Sequence, residues 1–237
     1  MKKLRILIIV MGISVMGLFS CNENEVLTEV PKDFLTPENS FTEKEGFVSA
    51  LTAIYRANRD LFYGSAHGDS RYRFGLQGVD VDLWDVYMNT TQRQEMMKWN
   101  TLNADNAEVS TWWRWFYNIV FRANVIIGRA EQETVEWDSE EEKNAIVGEA
   151  RFLRAYAYTY LANMWGGVPL VLKETDEAKF DYTRASQTDV YNQCVEDLLF
   201  AVVHMNTIDI QKGGRAPRAA AYHVLTQVYI QLGKYQE

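Results

Sequence analysis

The stretch SEEEKNAIVGEARFLRAYAYTYLANMWGGVPLVL, at residues 139–172, decides how the other helices of this chain must be arranged. Ser139 and Glu142 have the spacing of a capping box, in which each side chain accepts a hydrogen bond from a free amide of the first helical turn. Beyond this start, apolar and aromatic side chains occupy most of the helix circumference instead of a single stripe. Such a helix needs neighbours on several sides, so the stretch predicts a buried central helix.

The end of this helix is equally well marked. Gly166 and Gly167 can supply the left-handed residue that terminates a helix, and Pro169 prevents the helix from resuming. We therefore expect residues 168–172 to leave the helix as an extended segment.

Four more helices follow from helical spacing of apolar residues, and together they predict an all-α protein. They are expected at residues 40–62, 105–136, 186–205 and 216–232. The residues predicted to begin them are, in chain order, Ser40 in a capping box with Glu43, Asp105 or Asn106, Ser186, and Pro217 in the first turn.

The N-terminus has the pattern of a signal sequence, with three basic residues and then an apolar run. A single-pass anchor is the competing interpretation, but the apolar run is short for a span and a polar stretch follows it. Residues 18–21, Leu-Phe-Ser-Cys, resemble the lipobox of bacterial lipoproteins. We predict a signal peptide at 1–20, lipidation of Cys21 and a polar tether at 21–39.

The charge balance limits the classes of partner. The chain carries 24 basic and 32 acidic residues, a formal net charge of −8. Loss of residues 1–20 leaves 21 basic residues and a balance of −11. Such a surface repels nucleic acid and anionic head groups, so no nucleic-acid partner is expected and membrane attachment should depend on the acyl chains. Cys194 falls in a helical apolar stripe and is predicted to be a buried, unpaired thiol.

Residues 63–104 have no sustained period and are predicted to form a long irregular insertion between the first two helices. Such long loops usually have a function. Carboxylates alternate with aromatic rings here, and this mixture suits a sugar, because rings stack on its apolar faces and polar groups bind its hydroxyls. The candidate ligand-binding residues are Asp80, Asp82, Trp84, Tyr87, Arg73, Trp99 and Asn100, with Arg71 close by.

Two alternatives stay open for this insertion. Trp84 and Trp99 can simply hold the loop against the helices. Asp80 and Asp85 also permit the paired-carboxyl chemistry of an α-helical glycoside hydrolase. The three histidines share no metal-ligand spacing, and no phosphate-binding motif is present, so neither a metal nor a cofactor is expected.

Several short motifs, taken in order, resemble the N-terminal half of a SusD/RagB-type outer-membrane lipoprotein. They are Asn39-Ser40-Phe41, Tyr117-Asn118-Ile119, Arg122-Ala123-Asn124, residues 149–155 (EARFLRA), residues 165–171 (WGGVPLV), Thr183-Arg184-Ala185-Ser186 and Gly214-Arg215-Ala216. The last helix and its Gly-Lys-Tyr turn also resemble a tetratricopeptide unit whose second helix is absent. We therefore interpret residues 40–237 as an incomplete SusD-like helical N-terminal domain.

The resemblance implies tetratricopeptide-like helix pairs, a position at the outer membrane facing outward, and a role as a lid on a SusC-like TonB-dependent transporter. It further implies binding of oligosaccharides, or of peptides in some members, without catalysis. A structural adaptor that only seals the transporter is the rival hypothesis. Members of this family are about twice as long as this chain, so part of the ligand site is expected to be missing.

Overall fold

The structure is a computed structural model that describes residues 40–63, 95, 102–175, 177, 179–206 and 214–236. These residues form an all-α unit, as predicted. Its helices are α1 (Lys44–Tyr63), α2 (Ala107–Arg129), α3 (Glu140–Trp165), α4 (Gln187–His204) and α5 (Arg218–Gln231). Within the same ranges there is no strand, and the only β-type pairing is an isolated parallel bridge between Glu43 and Glu136.

Helix α3 is the centre of the unit and contacts each of the other four helices. Its N-cap is Ser139, whose hydroxyl accepts a hydrogen bond from the Glu142 amide, as the capping box predicts. The Glu142 carboxylate differs from a standard box, because it accepts from the Asp138 amide and pairs with Lys44 of α1. The charge and hydrogen bond of Lys44 lower the pKa of Glu142. Glu142, the second residue of the capping box, thus also joins α3 to α1.

The predicted exit from α3 is confirmed. Gly166 is the C-cap with φ 70° and ψ −128°, a conformation that favours glycine. A Cβ on Gly167 would collide with the carbonyl oxygen of Ala185, so the exit segment passes against the start of α4. Arg184 fixes the approach by donating to the carbonyls of Trp165 and Gly167, both at 2.6 Å.

Two predicted helix ends are wrong. Helix α1 begins at Lys44 and not directly after Ser40, because Thr42 and Glu43 take part in a short pairing instead of a helical turn. The Glu136 amide donates to the Thr42 carbonyl at 3.2 Å. The same pairing explains why α2 ends at Arg129 and not near Glu136. Long-range backbone pairing has overridden local capping at both sites.

The other helix starts agree closely with the sequence. Asn106 accepts from the Val109 amide at the start of α2. Ser186 caps α4, and its hydroxyl accepts from the Asp189 amide at 3.1 Å. Pro217, predicted in the first turn, is the N-cap of α5, one position before the helix begins.

A buried ion pair holds α3 against α4. Arg154 donates from Nε and Nη2 to the two oxygens of Asp197, at 2.8 and 2.7 Å. Its Nη1 donates to Asn124 of α2 and to the Leu172 carbonyl. One guanidinium therefore joins three helices and the exit segment, which is a structural role.

A second polar cluster joins α1, α3 and the start of α5. Glu149 is buried and receives a hydrogen bond from the Tyr55 hydroxyl at 2.6 Å and two from Arg215. The Tyr55 oxygen accepts in turn from the Ala216 amide at 3.0 Å. Burial and the neighbouring carboxylate raise the pKa of Tyr55 well above its ordinary value. The cluster anchors the segment that leads into α5.

Cys194 is fully buried between α3 and α4 and is free, as predicted. Burial raises the pKa of its thiol to about 12. None of the described helices is sufficiently long and apolar to cross a bilayer.

Candidate functional site

The seven predicted ligand-binding residues and Cys21 lie outside the described residues. The residues concerned are Arg73, Asp80, Asp82, Trp84, Tyr87, Trp99, Asn100 and Cys21. The same holds for the tether and for the insertion at 63–104, apart from Tyr63, Glu95 and residues 102–104. Their roles stay predictions. The site that can be described is formed by the two helices from which this insertion leaves and to which it returns.

A solvent groove of about 590 Å³ lies between α1 and α2. We call it the α1–α2 groove. Its lining residues are Ala53, Arg56, Ala57, Asp60, Thr111, Arg114, Trp115, Asn118 and Arg122. The volume falls in the range of roughly 300–1,000 Å³ that is typical of small-ligand pockets.

Helical spacing brings these side chains together. Arg56 and Asp60 are four residues apart on α1, and Arg114, Asn118 and Arg122 repeat at the same interval on α2. Residues spaced by three or four lie on one face of a helix, so each helix turns a row of polar groups toward the groove. The opposite faces of both helices carry the core residues.

Trp115 fixes the distance between the two helices at this point. Its indole Nε1 donates to the Ala57 carbonyl of α1 at 2.9 Å. The ring is partly buried, packs against the core and also lines the groove. A rigidly held aromatic surface therefore lies among the polar groups, and a sugar ring can stack on such a surface.

The groove is rich in arginine. The Arg56 side chain is 76% exposed, and its Nε lies 3.8 Å from the Asp60 carboxylate. Arg114 and Arg122 are exposed on α2 and donate to backbone carbonyls, to Ser110 at 3.4 Å and to Ala53 at 3.5 Å. These contacts engage single nitrogens of guanidinium groups that each have five donor hydrogens. The remaining donors can bind a ligand.

A separate apolar cleft of about 430 Å³ lies on another face of α2. Its aromatic walls come from Trp113, Tyr117, Phe121 and Tyr182. The Tyr117 hydroxyl donates to the Pro169 carbonyl at 2.8 Å, and this bond fixes the ring against the exit segment of α3. Among the described residues, no group of three or more His, Cys, Asp or Glu side chains is arranged to hold a metal ion.

The α1–α2 groove was not predicted from the sequence, although a signal was present. Apolar periodicity predicts α2, but it assigns no role to the polar residues that lie between the apolar ones. Arg114, Asn118 and Arg122 share one spacing, but only the packing of α1 beside them turns that spacing into a concave site. Trp113 is half-buried.

A comparison of this chain with protein families finds a match over residues 71–230 to the model "SusD-like_3: Starch-binding associating with outer membrane". This match covers more than half of the chain. The chain belongs to the SusD-like family.

A curated relative and two solved structures show the extent of the likeness. SusD-like protein P2 of Formosa agariphila is 27% identical in an alignment of 241 positions, which covers 100% of this chain and 45% of that protein. A SusD superfamily protein from Bacteroides vulgatus has a TM-score of 0.71 at 24% identity, with 81% of this chain and 41% of that chain aligned. A laminarin binding SusD-like protein has a TM-score of 0.67 at 25% identity and aligns over 82% and 41% of the two chains.

The all-α architecture of the SusD-like chain, with its tetratricopeptide-like helix pairs, is therefore that of solved family members. The chain spans less than half the length of the curated relatives it matches. Activity, ligand and partners of the whole protein are accordingly taken up as proposals.

Proposed function

We propose that this SusD-like protein is a cell-surface lipoprotein that captures oligosaccharides and presents them to a SusC-like TonB-dependent transporter. The observation that carries the proposal is the family match over residues 71–230, whose description names starch binding and association with the outer membrane. Binding without catalysis is part of the proposal.

The chemistry of the α1–α2 groove supports this function. A sugar offers apolar ring faces and many hydroxyls, and the groove offers the Trp115 ring together with the Asn118 amide and the Asp60 carboxylate. The insertion that connects α1 to α2 carries the seven candidate residues, among them Trp84 and Trp99. We propose that these tryptophans and the groove contact one ligand.

The location is proposed from the N-terminus. Residues 1–20 would be removed as a signal peptide, and Cys21 would carry the lipid that attaches the tether at 21–39 to the outer membrane. The excess of acidic residues over basic ones makes an electrostatic attachment to anionic head groups unfavourable, which leaves the acyl chains to supply the affinity.

Calorimetric titration of the full-length protein with malto-oligosaccharides, laminari-oligosaccharides and acidic oligosaccharides tests the proposal. A Trp84→Ala plus Trp99→Ala variant should weaken binding by about thirtyfold, because each of the two lost stacking contacts is worth roughly 1 kcal/mol. Tyr222→Ala plus Tyr235→Ala is the matched control, since both rings are exposed on or beside α5. If the tryptophan variant binds oligosaccharides with unchanged affinity, the proposed binding surface is wrong.

The rival hypotheses predict different results in three further measurements, which are co-purification with a transporter, peptide binding and release of reducing ends. A protein that co-purifies with a transporter barrel but binds no oligosaccharide or peptide would be a structural adaptor. Peptide binding in place of sugar binding would place it with peptide-binding family members. Release of reducing ends during prolonged incubation would show a glycoside hydrolase, for which Asp80 and Asp85 are the first residues to replace.

A further inference from the structure

The arginine content of the α1–α2 groove contrasts with the charge of the whole chain. The chain has 32 acidic and 24 basic residues. Among the described residues, the groove lining includes three arginines, Arg56, Arg114 and Arg122, and one carboxylate, Asp60. On an acidic surface, a site chosen at random would carry mostly carboxylates. A local excess of positive charge therefore requires an explanation.

Core packing does not explain these arginines. The pair that does stabilise the core, Arg154 with Asp197, is buried and bidentate at 2.7–2.8 Å. In contrast, the exposed Arg56 is 3.8 Å from the partly buried Asp60, and a pair at this distance contributes little stability. Asp60 is shared, because Arg59 lies 3.2 Å from the same carboxylate. The groove arginines thus retain charge that the described carboxylates only partly balance.

We propose that the α1–α2 groove binds the acidic groups of an anionic oligosaccharide, one that carries carboxylate or sulfate substituents. The inference rests on the proposed glycan-binding function and narrows its ligand class. Guanidinium groups match such oxyanions because they donate two parallel hydrogen bonds in a fixed fork. Trp115 offers a stacking surface for the sugar ring, and Thr111 and Asn118 offer partners for its hydroxyls.

The placement of the three arginines supports more than one acidic substituent per ligand. Arg114 and Arg122 are eight residues apart on α2, which is a rise of about 12 Å along the helix. Arg56 faces them from α1 across the groove. A ligand with acidic groups on successive sugar units would contact these arginines in turn, whereas a neutral glucan would leave their charges without partners.

The test is a calorimetric comparison on the full-length protein of four hexasaccharides of similar length. They are an oligogalacturonate for carboxylate, a sulfated carrageenan fragment for sulfate, and maltohexaose and laminarihexaose as neutral sugars. We expect at least one acidic hexasaccharide to bind about tenfold or more tightly than either neutral one at 50 mM NaCl, from one or two charge-assisted hydrogen bonds. Raising the salt to 300 mM should reduce that advantage, because exposed charges are screened. The two acidic arms identify which oxyanion is preferred.

The variant Arg56→Gln plus Arg114→Gln should lower the affinity for the acidic ligand to that for the neutral ones. Glutamine keeps the polarity and much of the length of the side chain, and far-ultraviolet circular dichroism checks the fold. Lys173→Gln plus Lys234→Gln removes the same formal charge at exposed positions outside the groove and should leave acidic binding unchanged.

Several results would overturn the inference while leaving the proposed function intact. One is equal, salt-independent binding of acidic and neutral hexasaccharides. Another is an equal loss in the arginine and lysine variants, which would show a general charge effect. Binding of no oligosaccharide at all would instead defeat both the inference and the proposed function.

Discussion

At the scale of single residues, Arg154 shows what stabilises the interior of this protein. Its side chain is 5% exposed and that of its partner Asp197 is 1% exposed. Each nitrogen of the guanidinium has a partner. The Asn124 side-chain amide, which accepts from Arg154, donates in turn to the Val171 carbonyl at 2.8 Å. A buried charge is tolerated only with such complete pairing, because an unpaired one is strongly destabilising.

We predict that Asp197→Ala lowers the free energy of unfolding by about 3–5 kcal/mol, because it leaves the Arg154 charge buried without its carboxylate. Asp181→Ala is the control, because Asp181 lies 3.9 Å from Lys179 in an exposed pair and should cost less than about 1 kcal/mol. Urea unfolding followed by circular dichroism measures both. The double variant Arg154→Met plus Asp197→Leu should be more stable than Asp197→Ala. Equal losses of unfolding free energy in Asp197→Ala and Asp181→Ala would show that the buried pair matters no more to stability than an exposed pair.

At the scale of elements, the exit from α3 determines where α4 can pack. Gly166 has φ 70° and nothing lies within 4 Å of a Cβ built on it, so a side chain there would strain only the backbone. Gly167 has an ordinary backbone, but its Cβ would collide with Ala185. One glycine is therefore required by conformation and its neighbour by close packing.

We predict that Gly166→Ala destabilises the protein by about 1–3 kcal/mol through backbone strain. Gly128→Ala is the matched control, since Gly128 lies inside α2 with equal free space and alanine favours helix by up to about 1 kcal/mol. The two thermal midpoints should move in opposite directions. Contrary evidence would be a Gly166→Ala protein that is as stable as the Gly128→Ala protein.

The sequence predicts the helices well because capping and periodicity are local. Ser139 and Ser186 were assigned correctly, since each cap needs only the amides of its own first turn. The end of α2 near Glu136 was wrong, because the pairing of Glu136 with Glu43 joins residues far apart in sequence.

The candidate site was less predictable for the same reason. Arg56 and Arg114 are separated by more than fifty residues and meet only when α1 and α2 pack together. Nothing local marks either residue as part of a groove. The ligand-binding prediction for the insertion rests on the composition of residues 63–104. The roles of Trp84 and Trp99 therefore stay predictions.

At the scale of the whole molecule, weakly acidic groups lie buried in the helical core or half-buried against it. Tyr55 on α1, Tyr117 on α2, and Tyr158 on α3 all have a raised pKa, with burial as the largest cause. Burial raises the pKa of Cys194 on α4 to about 12. The neutral forms are favoured in the folded state, so the unfolded chain releases these protons at lower pH than the native protein does.

This linkage predicts a loss of stability in alkaline solution. An unfolded cysteine ionises near pH 8.5 and the Cys194 thiol in the native protein only near pH 12, so its contribution is complete below pH 8.5 and is lost as the pH rises above it. Between about pH 9 and 10.5 the free energy of unfolding should therefore fall more steeply in the wild type than in Cys194→Ala, by about 1.4 kcal/mol per pH unit. Urea titrations at pH 7.5, 8.5, 9.5 and 10.5 measure the two slopes. The tyrosines act in both proteins, and the cavity left by alanine shifts the whole curve without changing its slope. Parallel curves would mean that the Cys194 thiol loses its proton as readily in the folded protein as in the unfolded chain.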